Sequence, residues 1–187
     1  MFRLAAVLLA VVVASSAQAG GKSSTMVTAG DAFAPPAFYA FCKKQPRLCS
    51  TRGKAKVVQL TSERQALLKS VNASVNRRIR ERNDLIGGRA TDEWDVPTKE
   101  GDCEDFAILK KAELLKRGWS ASALLLTVAT YGGRGHTVLT VRTDHGDLIL
   151  DNRTNAIREW SKTPYKYFAR QSQNDASKWT RIESGGT

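Results

Sequence analysis

The sequence predicts a single α+β domain, with helices first and an antiparallel sheet after them. Three observations carry this expectation. Apolar residues recur at helical spacing over 62–83 and again over 103–119, while from 121 onward the pattern becomes β-rich and alternating. No internal repeat breaks that order, and 187 residues suffice for one domain with a real core.

Residues 1–19 read as a secretory signal peptide. Met1-Phe2-Arg3 is followed by an apolar run over 4–14 and by the small-x-small pattern Ala17-Gln18-Ala19. That run is far shorter than the roughly 20 residues needed to span a bilayer. The expected location is therefore the periplasm or the outside of the cell. In an oxidising compartment three cysteines divide into one pair and one left over. Cys42 and Cys49 stand seven positions apart in a Pro- and Lys-rich stretch and are expected to form a disulfide. They lie in an expected extended segment, 20–60, whose residues 20–40 are rich in Gly, Ser, Ala and Pro and are expected to wrap or trail beside a domain at 61–187.

Within that domain Thr61 or Ser62 caps a helix whose Leu67, Val71, Val75 and Ile79 share one face, with an expected end near Asn83. Residues 84–100 read as a loop, punctuated by Gly87-Gly88 and Pro97 and anchored by Trp94. The next helix has Asp102 at its N-cap with Asp105 three positions on. Ile108, Ala112, Leu115 and Trp119 follow at helical spacing, and Lys116-Arg117-Gly118 supplies a basic last turn and a C′ glycine. A β-rich run at 121–130, a flexible loop at 131–135 and an alternating strand at 136–143 come next. A turn at 144–147, a strand at 148–151, a short helix over 164–170 and a closing polar segment with Trp179 complete the reading.

The candidate chemistry sits in Gly101-Asp102-Cys103-Glu104-Asp105. This places the unpaired Cys103 at the first position of a helix, where exposed N–H groups favour the nucleophilic thiolate. An inert buried thiol would have apolar neighbours instead. A cysteine hydrolase also needs an imidazole to exchange the proton and a group to orient that imidazole. Of two histidines, His145 lies in a turn where an exposed polar residue is ordinary, whereas His136 opens a strand behind a glycine-rich loop. Asp151 ends the following strand, so both lie at one open end of the hairpin. A two-residue turn leaves them offset, and a bulge, a wider turn or curvature is expected to close the gap.

Net charge is +11, yet the basic clusters at 43–56 and 77–82 lack the interleaved aromatics that stack bases, so nucleic acid is not an expected partner. Between 92 and 105 the sign reverses. Carboxylates beside a thiol raise its pKa, and a bound cation would relieve the conflict; hard oxygen ligands select Ca²⁺, with Asp102, Glu104 and Asp105 as candidate ligands. The competing reading has Asp102 and Asp105 capping the helix and Glu104 in water. Zinc is not expected, because Cys103 and His136 are 33 residues apart with no second close Cys or His pair. The oxyanion is assigned to the Cys103 N–H and a second donor, for which Trp94 and Asn76 are candidates, against packing and a helix surface as their ordinary roles.

The ordered set Trp94, Pro97, Gly101-Asp102-Cys103-Glu104-Asp105-Phe106-Ala107, Gly135-His136-Thr137-Val138-Leu139 and Leu150-Asp151-Asn152 resembles the bacterial transglutaminase-like cysteine peptidases. The resemblance spans roughly 62–181. It implies a papain-like, transglutaminase-type core with Cys103 as nucleophile, His136 as general base then acid, and Asp151 as orienting group. It also implies calcium beside the nucleophile and a protein or peptide substrate. Some members of the family clip cell-surface adhesins in the periplasm under a membrane receptor for a cyclic dinucleotide. The expected function is thus an exported thiol peptidase or amidase working through a Cys103 thioester. The rivals are a transferase passing the acyl group to an amine and a catalytically silent calcium-sensing module.

Overall fold

The computed structural model describes residues 24–83, 85–86, 89–90 and 92–183; the predicted signal peptide lies outside them. Strand β1 (Thr28–Ala32) leads into helices α1 (Pro36–Lys44) and α2 (Pro46–Cys49), then the long α3 (Ser62–Arg78). Four two-residue strands follow: β2 (Arg80–Glu81), β3 (Leu85–Ile86), β4 (Arg89–Ala90) and β5 (Glu100–Gly101). After α4 (Cys103–Lys116) come β6 (Leu124–Tyr131), β7 (Arg134–Thr143), β8 (Gly146–Leu150), β9 (Arg158–Glu159), β10 (Lys166–Gln171) and β11 (Trp179–Ile182). The main sheet has the order β1-β11-β10-β6-β7-β8-β9 with every neighbour antiparallel. Helix α4 lies against β7 and β6, and α3 covers α4.

Helix α3 starts as expected, with Thr61 Oγ1 accepting from the Arg64 N–H at 3.3 Å. It stops earlier than its pattern suggests. Ile79 turns extended at φ −100°, ψ 130°, and β2 then pairs in parallel with β5 immediately before Cys103. The residues entering α4 are therefore tied to the end of α3.

Other segments also differ from their sequence reading. Residues 28–60 are integral to the fold, because β1 pairs with β11 and α1 buries Phe38 and Phe41. The prolines read as an extended entry instead open a helix: Pro36 stands at N1, where its missing N–H costs nothing. Phe38 meets Trp94 and Trp179 edge-on, with ring centroids 5.8 and 5.2 Å away. Trp179, expected in a polar tail, is fully buried by this contact. The expected helix over 164–170 is instead strand β10, whose Ala169 pairs with Val128 on one side and Arg181 on the other. Neighbours on both edges outweigh a six-residue helical preference.

The expected loop at 131–135 is a tight two-residue turn. Gly132 and Gly133 both have positive φ, +56° and +79°, the conformation a twisted hairpin demands and only glycine adopts freely. Strand β7 consequently begins at Arg134, and Gly118 provides the predicted helix end at φ +78°. The expected disulfide joins Cys42 to Cys49, linking α1 to α2.

Candidate active site

Helix α4 begins at Cys103, with Asp102 extended before it as N-cap. Cys103 is half-buried in a cleft of about 670 Å³ that His136 also lines. Its Sγ accepts from the Thr137 N–H at 3.3 Å and donates to Glu104 Oε2 at 3.2 Å. Burial raises the thiol pKa most, and the neighbouring Glu104 adds to it. The opposing pull of the helix N-terminus does not prevail in this state, so the sulfur is a protonated thiol.

Glu104 is shifted in the same direction. Burial, then the hydrogen bond and charge of Asp102, push its carboxyl up to about 9. Two carboxyl groups forced together out of water form an oxygen donor pair whose repulsion a divalent cation would relieve. Asp102 and Glu104 fit calcium in that sense. Asp105 is placed differently: its Oδ1 accepts from the Asp95 N–H at 2.8 Å, and its Oδ2 is crowded against Gly101, where an added Cβ would come within 2.5 Å. It ties the first turn of α4 to the preceding loop, and the expected N-cap hydrogen bond of Asp102 is not formed. Among the described residues no group of three or more His, Cys, Asp or Glu is arranged around a common metal position.

Strand β7 delivers His136, 8% exposed, and the residue after β8 delivers Asp151, 3% exposed. They meet at 2.9 Å, Nε2 to Oδ1. The hairpin turn is the simple two-residue kind, with Thr143 opposite Gly146 and Leu139 opposite Leu150. Continuing that register sets Asp151 against Val138, two positions from His136 and on the same face. The long imidazole spans that diagonal, so no bulge is needed. His145, at the other end of β7, is exposed and bonded to Asp144.

Asp151 has two further partners. Tyr165 donates its hydroxyl to Oδ2, and the Arg153 N–H donates to Oδ1 at 3.2 Å. Burial pushes the Asp151 carboxyl up, but the bonds from His136 and Tyr165 outweigh it and hold the group below the usual carboxylate range. Asp151 is therefore an anion able to fix the imidazole. Tyr165 escaped the sequence reading because its segment was read as helical; its ring lies 4.9 Å from that of His136. No hydrogen bond among the described residues joins Sγ directly to the His136 ring, and Thr137, the next residue on β7, makes the contact with sulfur.

The two side chains considered as oxyanion donors are otherwise engaged. Trp94 Nε1 donates to Asp92 Oδ1 at 2.9 Å, and Asn76 Nδ2 donates to the Asp151 carbonyl at 3.0 Å. Asn76 thus holds the backbone that carries the orienting carboxylate. The spacing of α3 gave no sign of this, since the partner lies 75 residues away.

The family model for bacterial transglutaminase-like cysteine proteinases matches residues 28–187. Among solved structures, calcium-bound LapG of Legionella pneumophila is 24% identical, covering 83% of this chain and 84% of its own at a TM-score of 0.55. A second LapG structure from Legionella pneumophila is 26% identical, covering 74% of this chain and 77% of its own at a TM-score of 0.50. The EGTA-treated form of the same organism's LapG is also 26% identical at a TM-score of 0.50, covering 74% of this chain and 75% of its own. No curated protein sequence matches. The expected transglutaminase-type α+β fold is borne out.

Proposed function

The chain belongs to the bacterial transglutaminase-like cysteine proteinase family, and from that membership we propose that it is an exported thiol peptidase hydrolysing a protein substrate through Cys103, His136 and Asp151. The observation that carries the residue roles is the 2.9 Å bond from His136 Nε2 to Asp151 Oδ1, made by an imidazole that lines the cleft holding the unpaired Cys103. With Nε2 committed to Asp151, Nδ1 is the nitrogen left to take the proton of Cys103.

The sulfur then attacks the amide carbonyl, and a C–S bond forms as the carbonyl becomes an oxyanion. The Cys103 N–H, at the first position of α4, has no intrahelical acceptor and is suited to hold that charge. The imidazolium passes its proton to the departing amine as the C–N bond breaks. Water, losing a proton to His136, opens the thioester and releases the acid.

Asp102 and Glu104 would hold a calcium ion, which supplies the positive charge that lets the adjacent thiol ionise. The LapG neighbour described as calcium-bound supports this. Export is supported by the apolar N-terminal run and by the disulfide between Cys42 and Cys49. A cell-surface adhesin as substrate and a membrane receptor as regulator rest on the family resemblance.

A proteome-derived peptide library, incubated with the protein in calcium or in EGTA and analysed by mass spectrometry, tests the proposal. New N-termini are expected with the wild type and calcium and none with Cys103→Ala. Products retaining an added primary amine in place of water would assign acyl transfer instead, and a library left intact would assign a silent module.

A further inference from the structure

The cleft is lined by charges of both signs: Glu81, Asp92, Asp102 and Glu104, and also Arg134 at the tip of the β6–β7 hairpin and Arg153 just beyond β8. The two arginines are brought together by Tyr131. Tyr131 pairs with Arg134 in the last register position of the hairpin, and the Arg153 guanidinium lies 4.3 Å over its ring. Tyr131 in turn meets Tyr165 edge-on at 5.6 Å, so this cationic corner is braced against the side chain that holds Asp151.

Neither cation is spent on a carboxylate. None of the ion pairs among the described residues uses Arg134 or Arg153. Arg80 and Arg82, by contrast, are taken up by Glu100, and Arg117 by Glu113. Two unpaired guanidiniums on the rim of a cleft form a fork suited to a carboxylate.

The direction of the substrate follows from the chemistry. His136 gives its proton to the departing amine, so the segment that leaves with that amine lies on the His136 side of the sulfur. Arg134 is two residues before His136 on β7, and Arg153 is two residues after Asp151. We infer that Arg134 and Arg153 form a subsite for an acidic side chain, Asp or Glu, on the leaving segment of the substrate, within about three residues of the cleaved bond given the reach of extended chain. This rests on the peptidase reading above.

The same peptide library gives the test, read as residue frequencies on the leaving side of each cut. Wild type is expected to favour Asp or Glu over Lys at one of those positions by about tenfold, the size of a charge-assisted hydrogen bond. Arg134→Gln with Arg153→Gln should erase the preference, and Arg134→Glu with Arg153→Glu should turn it toward Lys and Arg. Because both side chains are exposed, these variants are expected to fold, with thermal unfolding as the check. Cleavage with no acidic preference, or a preference unmoved by charge reversal, overturns the subsite while leaving the peptidase reading intact. A library left uncut overturns both.

Discussion

Tyr165 donates its hydroxyl to one oxygen of Asp151 while its ring lies 4.9 Å from that of His136. Asp151 is thus held from two sides, by the imidazole it orients and by a phenol that touches that imidazole. Tyr165 is a positioning residue whose bond helps keep the Asp151 carboxyl below its usual range.

Removing that bond in Tyr165→Phe should lower kcat/KM about tenfold, as expected for a hydrogen bond to a charged group. The sign of the pH effect follows from Asp151. Losing a bond that lowers its pKa raises that pKa, so the acid limb of the rate profile should move to higher pH. Stability contributed by the depressed carboxyl is present above its unfolded pKa and lost as pH falls through the folded one. The variant should therefore lose less stability between neutral and acid pH than the wild type. A pH–rate profile together with urea unfolding across that range checks both.

Gly101 is fixed by crowding. A Cβ there would meet the Asp105 carboxylate at 2.5 Å and its Cβ at 2.8 Å. Gly101→Ala should cost about 1–3 kcal/mol, as overpacking usually does, and displace the first turn of α4. Chemical denaturation measures the first, and loss of peptidase activity in the folded variant the second.

Calcium should raise the melting temperature of the wild type relative to EGTA, and Asp102→Asn or Glu104→Gln should remove that rise. Asp105→Asn should behave otherwise. Its carboxylate braces the loop through the Asp95 N–H, so the variant should melt lower in either buffer while keeping the calcium increment. Thermal unfolding of the variants with and without EGTA separates the two roles.

Lys111 is wholly buried, its Nζ bonded to Gln171 Oε1 at 3.1 Å and to no other group among the described residues, and burial lowers its pKa to about 7. Between that value and the ordinary lysine pKa the unfolded chain binds more protons, so this residue makes stability rise with pH. At lower pH the folded state carries a buried charge. Lys111→Met should therefore be more stable than wild type below pH 7, with the gap closing as pH rises toward 10. Unfolding free energies at pH 6 and pH 9 provide the comparison.

Much of the site was legible because its signals are local. The acidic surround of Cys103, the N1 position and the His136-bearing strand all follow from residues within a few positions of one another. What escaped was set by distant pairing. Asp105 has a role as a loop brace that nothing local signals, because its partner, the Asp95 N–H, belongs to a loop with no periodicity. Tyr165 was read into a helix because nothing nearby reveals that β10 lies between β6 and β11. Asn76 and Trp94 carry donors of the right kind for the oxyanion, but Asn76 is claimed by the Asp151 carbonyl 75 residues away and Trp94 by Asp92 two residues before it. The prolines at 35 and 36 support either extended chain or a helix start, and only the packing of Phe38 against Trp94 and Trp179 decides between them.

The central claim is that the sulfur of Cys103 becomes nucleophilic through His136. Its most direct test is the rate at which iodoacetamide alkylates Cys103 at neutral pH in calcium, followed by intact mass for the wild type and for His136→Ala. The account predicts labelling well above that of a free thiol, falling about a hundredfold in the variant, in keeping with the usual size of acid–base assistance. Labelling no faster than a free thiol and equal in the two proteins would contradict it.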